Sequence, residues 1–577
     1  MPCEYKAIFN IMNFKTSSSY PQLQAFLLGA GLLLGLMPVL SFILTSIGFL
    51  IGISITAFHL PIIFLATVFV AWLLSKSQHY YTLKTFGWTL VVFILILVLG
   101  AVHVTSIFDT SYDGMWYHQE AVINFAKGWN PYKHMLLPHE GTETGTFYDN
   151  HYPKAVWIAE ATVYKFTGLL ESAKVYNLVL ASGLFFLSWF GLMQFKFINP
   201  IASFLLALLI GFNPTSIYQL YAFYVDGQLG ASLMAIMILL VSSILLNNRT
   251  LFWIALLIFS YLANIKFTGL VYGCIVLAFY LSYLIWRKRS DFKYYFISTA
   301  AAVLVTVVVL GYPTYVTNTL NNQHPFYPIM GPGSYGDDIA KIPQPANFAT
   351  LNRFDKFITA TFAEPMWCRT PLTTKPKRLF KPIYDKYYFT RADFEISGFG
   401  PYYAELFGGF LLALALLFFI PSKYKKETAL FLTVVVISTF INSEAWYARY
   451  APQFWLFGIA LVVVLHQNKY TKYLAYVLLV GLMLNTIFLA KFYFKPHWAE
   501  SKLIRAEFDA LKKLPKPAQI MVGWPVTFAV KANEQELKFI SVTQTAENQE
   551  LYTPFTGFSA EWAKFNKVEM DSAKLLP

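Results

Sequence analysis

Thirteen apolar runs divide this chain of 577 residues, and their lengths leave few folds open. They lie near 24–44, 55–75, 84–105, 174–195, 201–222, 227–246, 251–265, 268–286, 294–316, 403–421, 428–443, 452–466 and 473–490. An α-helix needs about 20 apolar residues to cross the hydrocarbon core of a bilayer, where each backbone N–H and C=O must find its partner within the protein. The expected fold is therefore mainly α: a polytopic bundle of about 13 transmembrane helices. The runs 251–265 and 428–443 are short for a full crossing, so tilted, broken or half-buried helices are expected there. Composition agrees. The chain is 56% apolar and 13% charged with a mean hydropathy of +0.50, whereas a soluble domain keeps about a quarter of its residues charged. The first fifteen residues lack a short apolar core with a small-residue cleavage site, so no removed signal peptide is expected.

The net charge of +13 raises the question of nucleic acid, and its placement answers it. With the N-terminus cytoplasmic, the inner segments carry Lys6, Lys15, Lys76, Lys84, Lys196, Arg249, Arg287, Lys288, Arg289, Lys293, Lys423, Lys425, Lys426, Lys469 and Lys472. Only Glu4, Asp291 and Glu427 oppose them. Nearly all the excess charge thus sits where the positive-inside rule places it, which orients the chain and removes the case for nucleic acid.

The runs also set the organisation. Spans 1–3 occupy residues 1–105, a first outer loop 106–173, spans 4–9 residues 174–316, a large outer loop 317–402, spans 10–13 residues 403–490, and an outer tail 491–577. In this orientation the three polar segments lie on one face, and the inner connections are too short to build a site. The tail reads as a small α/β unit. WAESKLIRAEFDALKKL has helical apolar spacing and stops at Pro515, and QIMVG and LKFISV read as two short buried strands.

Candidate chemistry gathers at the outer ends of spans. Asp109 and Asp113 follow the third span directly and would share a helix face at i and i+4. Either would serve as a general base; equally, Asp109, before Thr110 and Ser111, reads as a helix cap. Asp226 lies in the hairpin FYVDGQLG, a plain turn acid or a site residue. Lys266 interrupts two apolar runs, as a snorkelling lysine or a phosphate ligand. Arg449 sits among Trp446, Tyr447 and Tyr450, either as an interfacial anchor paired with Glu444 or as a fork for a lipid phosphate. Gly114 would let a substrate approach the backbone, and Trp116, Tyr117 and His118 would line it. Asp337–Asp338 reads as a solvated loop pair in preference to a divalent metal site. The three cysteines, Cys3, Cys274 and Cys368, are too scattered for a metal or a disulfide framework, and Cys274 reads as a packed core residue. The ten histidines show no zinc spacing, and there is no P-loop or dinucleotide fingerprint. No cofactor is expected.

The order of an aspartate, Tyr117-His118, then Gly128-Trp129-Asn130-Pro131-Tyr132, then His151-Tyr152-Pro153 resembles the first periplasmic loop of class C glycosyltransferases, the GT-C fold. The resemblance implies a multi-span enzyme that takes a sugar from a polyprenyl-phosphate or polyprenyl-diphosphate carrier, with an essential acid after an early span. That acid maps to Asp113. Gly114 stands where some members carry a second acid, and two N-terminal spans are additional to the commonest layout. The partners implied are a polyprenyl-linked sugar, membrane lipids, and a glycan, lipid or protein acceptor. The place implied is the inner (plasma) membrane with the site and C-terminus periplasmic. Competing readings are a transporter or flippase, which would hold its ionisable residues at the midplane of repeated halves, and a polysaccharide polymerase or ligase.

Overall fold

A computed structural model describes residues 20–76, 81–138, 143–334, 343–366, 372–380, 387–419, 422–543, 545, 548–557 and 562–574. Cys3, Cys368 and the Asp337–Asp338 pair lie outside the described residues. Each of the thirteen apolar runs carries helix, but among the described residues eight helices are long and apolar enough to cross a membrane. These are Pro21–Leu50, His59–Lys76, Leu83–Thr105, Leu170–Leu192, Asp226–Leu246, Phe267–Trp286, Phe292–Leu310 and Lys472–Lys512. Pro200–Gly211, Arg249–Leu262, Tyr403–Phe419, Lys425–Phe440 and Pro452–Leu465 are shorter.

Local chemistry explains where the apolar runs overstate the helices. The run 201–222 breaks after Gly211 because Asn213 caps a new turn, its Oδ1 accepting from Ser216 N–H at 3.2 Å, and Pro214 has no N–H to extend the old helix. The opposite error occurs at the end of the chain. The expected last span and the tail helix are one helix of 41 residues, Lys472–Lys512, about 60 Å long at 1.5 Å per residue. Its second half carries the bundle into the C-terminal unit.

The first helix is an inner element. Its apolar window is 89% buried, against 22% and 17% for the next two helices. Glycine makes this possible: a Cβ on Gly183 would meet Gly35 N at 2.9 Å, so the two backbones touch where both lack side chains. Leu65, Phe69, Leu99 and Val102 on the two following helices are exposed, as lipid-facing residues are.

The segments sort to two ends. The cation-rich turns expected inside meet one another, through Arg249 and Asp291 at 3.4 Å, Arg289 and Asn247 at 2.7 Å, and Ser422 and Gln467 at 3.0 Å. The first loop, residues 387–400, the turn 442–451 and the tail meet elsewhere, around the residues described below. Among its described residues the tail holds four strands, two more than its sequence suggests: β1 (Ala518–Val522), β2 (Phe539–Ser541), β3 (Tyr552–Pro554) and β4 (Ala563–Asn566). Their order is β2-β1-β4-β3, with β1 and β2 parallel across the helix Pro525–Glu534 and the other pairs antiparallel. Phe108 and Met115 of the first loop are buried in the same cluster as Phe508, Phe528, Phe555 and Trp562 of the tail. The tail is thus built onto the loop that carries Asp109 and Asp113.

Candidate functional site

The chain leaves the helix Leu83–Thr105 and turns at Asp109, which is buried and fully engaged. Its Oδ1 accepts from Ser111 N–H at 2.8 Å, and its Oδ2 accepts from Phe223 N–H at 2.9 Å and Gln119 Nε2 at 3.3 Å. Its own N–H donates to Glu171, which also holds Lys174 and, from the tail, Lys531. Asp109 therefore fastens the loop to its neighbours. The expected pairing of Asp109 and Asp113 on one helix face does not form, because helix begins only at residue 112. Gly114 serves this anchor: a Cβ there would lie 2.3 Å from Asp109 Oδ2 and 2.2 Å from Ser111 Oγ. The bare face expected to admit a substrate is filled by the Asp109 carboxylate.

Asp113 points elsewhere. It precedes a π-helical turn, Gly114–His118, a wide form of helix that recurs at functional sites. Its Oδ2 lies 3.5 Å from Arg449 Nη1, and the same nitrogen lies 3.5 Å from Asp226 Oδ2. Lys266 Nζ binds Asp226 Oδ1 at 2.8 Å. Four residues from four separate span ends thus form one cluster. Asp226 opens the helix Asp226–Leu246, where the helix dipole favours an anion, and Gln219 Nε2 also donates to it at 3.3 Å. Lys266 sits in the turn before Phe267–Trp286, over the Tyr450 ring at 4.4 Å.

The Arg449 guanidinium is wrapped by three aromatic faces, Tyr224, Tyr447 and Tyr450, with ring centres 4.9–5.0 Å from its carbon. Its hydrogen-bonding capacity is barely used. The 3.5 Å carboxylate contacts exceed the 2.7–2.9 Å of a charge-assisted bond, and among the described residues Nη2 reaches only Tyr450 Oη at 3.3 Å and the buried Nε has no partner. Glu444, the alternative partner in the sequence, instead accepts from the Trp446 indole.

Several neighbours carry weaker sequence signals. Tyr447 Oη donates to Glu395 Oε1 at 2.5 Å, and Asp393 pairs with Arg391 at 2.9 Å. Both acids come from R-A-D-F-E-I, whose alternating acids in an apolar setting are the only hint the sequence offers. Burial pushes the Asp113 carboxyl above the usual carboxylate range; Arg449 works against this and Asp393 adds to it. Tyr224 Oη accepts from Asp113 N–H at 3.4 Å.

The remaining expected residues flank this cluster. Trp116 and Tyr117 are half-buried and pack edge to face at 5.6 Å. His118 is buried, its Nδ1 accepting from Trp157 Nε1 at 2.7 Å, and burial holds its imidazole down to about 3, so it is neutral. Among the described residues no three His, Cys, Asp or Glu side chains are placed to hold a metal ion. A comparison with models of known protein families finds no match to this chain, and neither does a search of curated proteins.

Proposed function

We propose that the protein is an integral membrane glycosyltransferase that moves a sugar from a polyprenyl-phosphate donor to an acceptor hydroxyl at the outer membrane face. The observation that carries the reading is the meeting of a raised carboxyl, Asp113, with a buried and under-used guanidinium, Arg449, at the mouth of a membrane-length helix bundle. A carboxylate of raised basicity accepts a proton. A planar fork with free donors suits a phosphate.

In this reading the carrier phosphate lies against Arg449, and Lys266 adds charge while remaining paired with Asp226. Asp113 takes the proton of the acceptor hydroxyl as its oxygen attacks the anomeric carbon. The bond from that carbon to the phosphate oxygen breaks, and its electron pair leaves with the carrier, where Arg449 meets the charge. Attack opposite the leaving group inverts the anomeric configuration. Mass spectrometry of cell-surface glycans with and without the protein tests the class: a missing sugar residue supports it, and an unchanged inventory overturns it.

The orientation rests on the cation balance and has its own test. Cysteines placed at Ser334 and Glu550 should react with an impermeant thiol reagent from outside, and one at Ser422 should not. Labelling at position 422 alone would reverse the chain and place the cluster in the cytoplasm.

The pH profile follows from the signs above. Transfer needs Asp113 deprotonated, so the rate rises with pH through its pKa, and that acid limb lies above the ordinary carboxylate range. Arg449→Gln removes the charge that lowers this pKa and should move the limb up. Asp393→Asn removes a charge that raises it and should move the limb down. The position of the limb in kcat/KM against pH is the readout; movement in the same direction in both variants would rule out this charge arrangement.

A further inference from the structure

The rings around Asp113 do not stop at the cluster. Tyr112, the residue before it, meets Trp116 edge to face at 5.7 Å, and Trp116 meets Tyr148 at 5.5 Å. On its other side Tyr112 meets Trp524 of the C-terminal unit at 5.2 Å and 86°. All four are half-buried. The row runs from the proposed base into the tail, between the end of β1 and the helix Pro525–Glu534.

Its polar equipment is unusual for a packed seam. Among the described residues neither Trp116 nor Trp524 donates its indole N–H, and neither nitrogen is buried, so both donors stay open. Gly145 is buried beside Trp116: a Cβ there would stand 3.8 Å from Trp116 Nε1 and 2.8 Å from Glu120 Oε2, so the Glu120 carboxyl packs on its bare face next to the indole. Glu120 is 6% exposed, and burial raises its carboxyl to about 7, so near neutrality it both donates and accepts hydrogen bonds. Ring faces, open N–H donors and a carboxyl together match a ligand with apolar C–H faces and a rim of hydroxyls. An acyl chain has no use for the donors. A saccharide uses both.

We propose that Tyr112, Trp116, Tyr148 and Trp524, with Glu120, form an acceptor subsite that binds a saccharide chain and presents its end hydroxyl to Asp113. This deepens the glycosyltransferase reading and rests on it: it names the acceptor as a glycan and makes the tail part of the substrate-binding surface.

The test uses the full-length protein in its own membranes. The photo-crosslinking change Trp524→p-benzoylphenylalanine is compared with the same change at Leu551, an exposed position of the same unit, and adducts are read by mass after digestion. The subsite predicts adducts carrying sugar increments at 524, roughly ten-fold above those at 551. It predicts a three- to ten-fold fall in that yield when Trp116→Ala removes one stacking ring, per molecule of folded protein recovered. Adducts carrying only lipid or peptide, or equal yields at the two positions, would overturn it. Sugar release that depends on Asp113 without saccharide adducts would remove the subsite and leave the transferase; saccharide adducts without such release would do the reverse.

Discussion

Asp113→Asn should abolish turnover while leaving donor binding and expression intact. The change nearly preserves shape and removes basicity, and losing a general base costs about 10²–10⁴ in rate. Arg449 keeps its other carboxylate, Asp226, so the cluster has no reason to collapse. Asp109→Asn is the contrasting case. Its two oxygens accept three N–H donors, from Ser111, Phe223 and Gln119, and an amide offers one oxygen and places an NH2 against the remaining donors. A buried donor left unmatched costs about 1–3 kcal/mol. The expected result is a lower melting temperature with turnover largely retained by the folded fraction. Sugar release from a polyprenyl-phosphate donor and thermal unfolding in detergent separate the two. An active Asp113→Asn protein would remove the base, and an inactive but stable Asp109→Asn beside it would move the role to Asp109.

The second large effect is at Arg449. Removing a buried charge that binds a ligand charge costs about 2–5 kcal/mol, so Arg449→Ala should raise the donor KM roughly 30-fold or more. Arg449→Lys keeps the charge but loses the planar fork and the fit between three tyrosine faces, and should raise KM about ten-fold. Neither change should unfold the protein, because Asp226 still holds Lys266 at 2.8 Å. Unchanged donor kinetics in Arg449→Ala would reduce the residue to an interfacial anchor.

Helix was legible wherever a long run was apolar, because lipid-exposed and buried faces demand the same residues. Its ends were not. Asn213-Pro214 ended one helix early through a cap, and the polar second half of Lys472–Lys512 hid the continuity of another. At the cluster, Asp113, Asp226, Lys266 and Arg449 each stood out as a charge at the edge of an apolar run, and these four side chains meet. Asp393 and Glu395 lay in a long loop whose path no periodicity could trace. Gly114 shows the limit from the other side. A glycine beside a candidate acid signals a close approach, but only the fold reveals that the approaching group is Asp109.

Native mass spectrometry of the protein purified from its own membranes tests the central claim most directly. A bound polyprenyl phosphate or its glycosyl form is the expected result. The glycosyl form should accumulate in Asp113→Asn, which binds donor without consuming it, and both species should disappear in Arg449→Ala. A bound carrier of undiminished occupancy in Arg449→Ala, or only lipids without a polyprenyl phosphate in all three proteins, would contradict it.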